Sequence, residues 1–180
     1  MIVQAALPLL LHNGEMVTTR QIADAAGIAE GTIFRVFPDK DAVIAAVLDA
    51  ALDVAPLEQA ISHIDHRLPL ADALEAAIVV MQQRVVDIWR LFSSLGPRAH
   101  HHRPGSPSDL DALVAIFEAH RCDLAVTPVA AARLLRSITL AGTHPMLAGT
   151  PMRPAEIVTV FLHGVNARDA DHRIGGALTC

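Results

Sequence analysis

Apolar positions recur along this chain at spacings of three and four residues, a periodicity that predicts an all-α protein. The clearest run extends from Leu70 to Leu95. There Leu70, Leu74, Ile78, Met81, Val85, Ile88, Phe92 and Leu95 form one continuous stripe. Val79, Val80, Val86 and Trp89 make the opposite side apolar too, which predicts a helix in the middle of a bundle. Pro56 and Pro69 bracket a shorter segment before it. After it, Gly96 to Ser108 holds three prolines, two glycines and His100, His101 and His102, and reads as a loop. Ser108, followed by Asp109 and Asp111, predicts the start of a helix carrying Leu110, Leu113, Val114, Phe117 and Leu124. Pro128 opens the next, whose span from Val129 to Ala141 has a broad apolar surface. Pro154 to Val165 repeats the pattern with Ile157, Val158, Phe161 and Leu162. The polar, glycine-bearing stretch 167–180 is expected to fray.

The amino-terminal quarter is punctuated more finely. Ile2, Ala5, Ala6, Leu9 and Leu10 predict a first helix, which Pro8 should bend because it removes an amide donor. Thr18 and Gln21 stand in capping-box register, so a second helix begins near Thr19, with Ile22, Ala23 and Ala26 on one face. Gly27 suits the left-handed position that ends it. A third helix, only two turns long, then follows. Ile28, Ile33 and Phe37 would plug it onto the second, which leaves Glu30, Thr32, Arg35 and Val36 outward. Pro38 stops it, and Asp39 is placed to cap a fourth helix carrying Ala42, Val43 and Ala46. A capped helix, a glycine turn and a second short helix at this spacing form a helix-turn-helix, a device for reading duplex DNA.

The stretch from Thr18 to Lys40, TTRQIADAAGIAEGTIFRVFPDK, resembles the DNA-binding domain of the TetR family of bacterial transcriptional regulators, and the likeness extends from Ile2 through Gly14 to Leu48. The resemblance implies that Thr19 contacts a phosphate at a helix N-terminus and that Arg20 contacts a base or a phosphate. It implies that Thr32 and Arg35 meet bases or backbone, that Gly31 lets the recognition helix come close, and that Lys40 holds a phosphate. Phe34 and Val36 occupy positions where the family often has tyrosine and histidine, so two phosphate donors are missing from that surface. Glu30 is a carboxylate at a reading position, where it accepts only from a cytosine amino group; its alternative role is to favour the first turn through the helix dipole. The resemblance further implies a homodimer paired through the last two helices, an inverted-repeat operator, and release from DNA by a small molecule bound within the helical bundle.

Charge moderates this picture. From Met1 to Leu48 three basic residues face five acidic ones, a net charge of −2. Binding by counterion release needs lysine and arginine, so a shallow salt dependence is expected. The family's basic arm has no counterpart before Ile2 in this sequence, which leaves two readings: residues upstream of it, or weak binding from shape and a handful of contacts. The whole chain, 180 residues with 52% hydrophobic and 18% charged residues, has room for one DNA-reading unit and one helical core. The expected division is 1–46, 47–166 and a tail 167–180. No apolar run approaches the roughly 20 residues that cross a bilayer, and Leu7 to Leu11 lacks the charged flank and cleavage site of a secretory signal. With Cys122 and Cys180 too few for a disulfide framework, a reduced, cytoplasmic setting is expected, and Cys122 reads as core.

Met81, Val85, Trp89 and Phe117 are candidates to line an effector pocket, being large and adaptable; each also reads as plain core. A metal site in the loop histidines, or at His63 and His66 beside Asp65, is the weaker reading, since three neighbours in a proline-rich loop do not easily converge on one ion. No nucleophile elbow, phosphate-cradling loop or zinc-protease helix is found, so neither an enzyme nor a cofactor is expected. The competing class is a dimeric helical ligand- or metal-binding protein with a degenerate reading head.

Overall fold

The computed structural model describes residues 1–96 and 110–164, and every regular element among them is helical. The protein is all-α. Two compact units form, one from Met1–Asp53 together with the long helix from Val86 onward, the other from Val54–Val85 and the helices beyond the 97–109 stretch. His100 to His102, Ser108, Val165 and the tail lie outside the described residues.

The first unit contains α1 (Ile2–Asn13), α2 (Thr19–Ala26), α3 (Glu30–Val36) and α4 (Lys40–Leu52). Ala6, Leu10, Val17, Ile22, Ala23, Ile33, Val43, Val47 and Leu48 close into one apolar cluster. α1 is helical through Pro8, which sits exposed on its outer side. Its end is set by Gly14 (φ 56°, ψ −137°), whose amide donates to the Leu10 carbonyl before a short 3-10 turn. Leu91 and Leu95, from the last turns of the long helix, complete this cluster. The even stripe along that helix gives no sign that its end serves a different core from its beginning.

The second unit contains α5 (Ala55–Ser62), α6 (Leu70–Leu95) as far as Val85, α7 (Asp111–Ala119), α8 (Pro128–Thr143), α9 (Pro145–Ala148) and α10 (Pro154–His163). The bounds of α6 are those of the apolar stripe. Leu74, Ile78 and Met81 are buried with Leu113, Ile116, Phe117, Leu135 and Ile157. The other side of α6 is less covered than its composition suggests: Val80 packs against the core, but Val79 is 52% exposed.

α7 departs from the expectation most. It starts at Asp111, three residues after the predicted Ser108 cap, behind Leu110 in a left-handed conformation (φ 53°). Its cap comes from another helix: the two carboxylate oxygens of Glu58 accept the amides of Asp111 and Ala112, both at 2.7 Å. Charge-assisted bonds to otherwise orphaned helix amides hold the start of α7 to α5. At its far end the His120 ring lies 3.0 Å from the Ile116 carbonyl and 3.1 Å from that of Leu68, and a neutral ring donates to only one of them at a time. Glu58→Ala should therefore lower unfolding free energy by about 1–2 kcal/mol, measured by urea titration, with Glu58→Gln recovering part of it.

Two smaller expectations are corrected here. Leu124 follows a 3-10 turn (Arg121–Asp123) rather than lying on α7, although it still packs against the core. Cys122, read as core, is exposed on that same turn, beyond the end of α7. α8 is capped by Thr127, whose hydroxyl accepts the Ala130 amide. At the start of α10 Glu156 reaches back to the Arg153 amide at 2.8 Å and pairs with its guanidinium. These bonds hold the Glu156 carboxyl below its ordinary range.

Candidate nucleic-acid interface

The helix pair α2–α3 is built as its local sequence dictates. The Thr18 hydroxyl accepts the Gln21 amide at 3.2 Å, and the Gln21 side chain accepts the Thr18 amide at 2.9 Å, completing the capping box. Gly27 (φ 68°, ψ 33°) ends α2 in the left-handed region, and the Ile28 amide returns to the Ala23 carbonyl. Ile33 is fully buried and Ile28 and Phe37 pack partly against the same cluster, so α3 is seated by one face. The Asp39 carboxylate accepts the Ala42 amide at 2.8 Å and starts α4.

The opposite face of α3 is open. Glu30, Gly31, Thr32, Phe34, Arg35 and Val36 are all exposed, with Phe34 at 50% and Val36 at 61%. Arg20 is exposed near the start of α2. A Cβ on Gly31 would meet nothing within 4 Å, so glycine is not required there by the fold itself. What it provides is a low point on the outer face, where a backbone can approach another molecule closely. The surface thus offers one arginine at each end of the helix pair, a hydroxyl, two bare apolar side chains and a carboxylate.

Two of the residues named from the sequence are engaged in ways the sequence did not reveal. The Thr19 hydroxyl donates to Glu30 Oε1 at 2.6 Å, tying the first residue of α2 to the first of α3. Lys40 is half-buried, and its ammonium donates to the Glu15 carbonyl at 2.8 Å. That bond uses one of three N–H donors and holds the ammonium, with its full charge, beside the Glu15 carbonyl. Neither bond has a signal in the sequence, because each joins residues more than ten positions apart through a side chain that could point elsewhere.

Of the four candidate pocket residues, three lie on α6 and one on α7. Met81 and Phe117 lie in one buried cluster, with the Phe117 ring centroid 5.7 Å from that of Phe161. Val85 and Trp89 are half-buried, and Trp89 falls in the other unit. The second core also holds polar groups that sequence reading passed over. Gln82 Nε2 donates to the Thr143 hydroxyl at 3.0 Å and to the Met152 carbonyl at 2.8 Å. The Thr139 hydroxyl is buried with no hydrogen-bond partner among the described residues. Among those residues no group of three or more histidine, cysteine or acidic side chains is placed to hold a metal ion, and no helix is long and apolar enough to cross a membrane.

Residues 2–47 match the family model described as bacterial regulatory proteins, tetR family. The sequence finds no significant match among curated proteins. Among solved structures, the fold is similar to that of a TetR transcriptional regulator from Streptomyces coelicolor, at 23% identity and a TM-score of 0.56, with 91% of this chain and 95% of that one covered. It is likewise similar to FadR from Thermus thermophilus, a TetR-family repressor solved with lauroyl-CoA, at 22% identity and a TM-score of 0.57, covering 95% and 96%. LfrR from Mycobacterium smegmatis, solved with proflavine, matches at 20% identity and a TM-score of 0.54, covering 92% and 95%. At these identities the likeness is one of fold.

Proposed function

We propose that this chain, whose residues 2–47 match the tetR family of bacterial regulatory proteins, is a repressor that binds an inverted-repeat operator as a homodimer and lets go when a small, mostly apolar ligand occupies its second unit. The observation that carries this reading is the open outer face of α3, with Gly31, Thr32 and Arg35 on a helix held rigidly by a capped partner. A single two-turn helix reads too few base pairs for specificity, and a two-fold pair of them reads a repeat. Pairing of copies is supported by α8, where Leu134 is 50% and Leu140 46% exposed beside exposed Ala141, and by half-buried Val160, Phe161 and Leu162 on α10. An apolar effector belongs to the same proposal through the relatives solved with lauroyl-CoA and proflavine, with the buried, unpartnered Thr139 hydroxyl as a point for one polar atom of it. The division into a reading head over 1–46, a regulatory and dimerising region over 47–166 and a tail belongs to the same proposal, as does a cytoplasmic, DNA-associated location.

Selection from a random duplex library, followed by salt titration on the enriched site, tests the reading. An enriched inverted repeat bound by two chains supports it; no enrichment by the full chain favours a ligand-binding protein with a degenerate head. Two variants refine the outcome. Arg35→Ala should relax base preference, whereas Lys40→Ala should weaken every sequence alike and flatten the slope of log affinity against log salt by about 0.9 for each phosphate no longer neutralised. Equal behaviour of both variants and the parent would show that the reading surface lies elsewhere.

A further inference from the structure

The Thr19–Glu30 bond makes the carboxylate the best-defined polar group on the open face of α3. Glu30 Oε1 accepts a hydrogen bond from the Thr19 hydroxyl at 2.6 Å, which orients the carboxylate although it is exposed. Oε2 keeps its lone pairs for a donor from outside. The same bond commits Thr19's only hydroxyl proton, which removes it as a donor to phosphate. A carboxylate is itself repelled by phosphate, so its outside partner on a duplex has to be a base edge.

The choice of base follows from the major groove. Guanine presents only acceptors there, and thymine an acceptor and a methyl group. Adenine presents its amino group beside N7, an acceptor that opposes a carboxylate. Cytosine presents an amino donor alone. Resting on the DNA-binding reading above, we infer that Glu30 specifies cytosine at one position of each half-site and that Thr19 is its positioning residue. The rival account, a latch between α2 and α3 with no partner on DNA, predicts effects that are blind to base sequence.

Random-duplex selection with the full chain and with its Glu30→Gln and Thr19→Val variants separates the two, with competition against a scrambled duplex alongside. The parent should fix cytosine at one position per half-site, about tenfold over other bases. Glu30→Gln should move that position to adenine, because an amide both accepts from the amino group and donates to N7. It should also bind the scrambled duplex several-fold more tightly, having lost one negative charge per chain. Thr19→Val should keep cytosine but soften the preference to roughly threefold, since it frees the carboxylate without changing its chemistry. Superimposable base preferences for the parent and Glu30→Gln, with only overall affinity or melting temperature altered, overturn the inference and leave a latch. A parent that enriches no repeat overturns it together with the regulator reading.

Discussion

Gly14→Ala should cost the first unit about 3 kcal/mol or more, a fall in melting temperature of roughly 6–12 °C for a chain this long. Two causes act together. The backbone at Gly14 (φ 56°, ψ −137°) lies in a region that side-chain-bearing residues scarcely enter, and an added Cβ would overlap the carbonyl oxygen of Ser94. That oxygen belongs to the backbone of α6, so no rotamer change relieves the clash. Gly27→Ala is the informative comparison. It too has positive φ (68°), but in the ordinary left-handed region and with nothing within 4 Å of its Cβ, so about 1–2 kcal/mol is expected. Circular dichroism melts of both variants check the order; equal losses would mean that the approach of α6 to Gly14 contributes nothing.

Phe117→Ala should be the most damaging change in the second unit, at about 3–5 kcal/mol. Phe117 is fully buried among Leu113, Ile116 and Met81, with the Phe161 ring tilted against it at 48°, and removing it leaves a cavity that helices on several sides cannot collapse to fill. Urea unfolding gives the number. A loss under about 1 kcal/mol would show a ring with little packing around it, as expected of a residue that lines an open pocket rather than a core. Phe117→Leu, which keeps most of the volume, should recover more than half of the loss.

The parts of this molecule that were legible in its sequence are those whose causes are local. Thr18 and Gln21 cap each other three residues apart, Gly27 turns the chain by itself, and the spacing of apolar residues from Leu70 to Leu95 set the bounds of α6. The exposed face of α3 followed from Ile33 being its one buried residue. What stayed hidden was set across the chain. α7 starts at Asp111, where Glu58 on another helix supplies two acceptors that no local spacing announces. Thr19 and Lys40 were assigned to phosphate by position, and only the packed helices reveal that each has a protein partner. Cys122 reads as core by residue type, and it is exposed because the helix before it ends at Ala119.

Because Glu58 fastens the start of α7 and the turn before α6 meets His120 at its end, both limits of this helix are tied to neighbouring elements. A substitution at Glu58 or in the turn that carries Leu68 therefore reaches α7 directly, although neither lies on it.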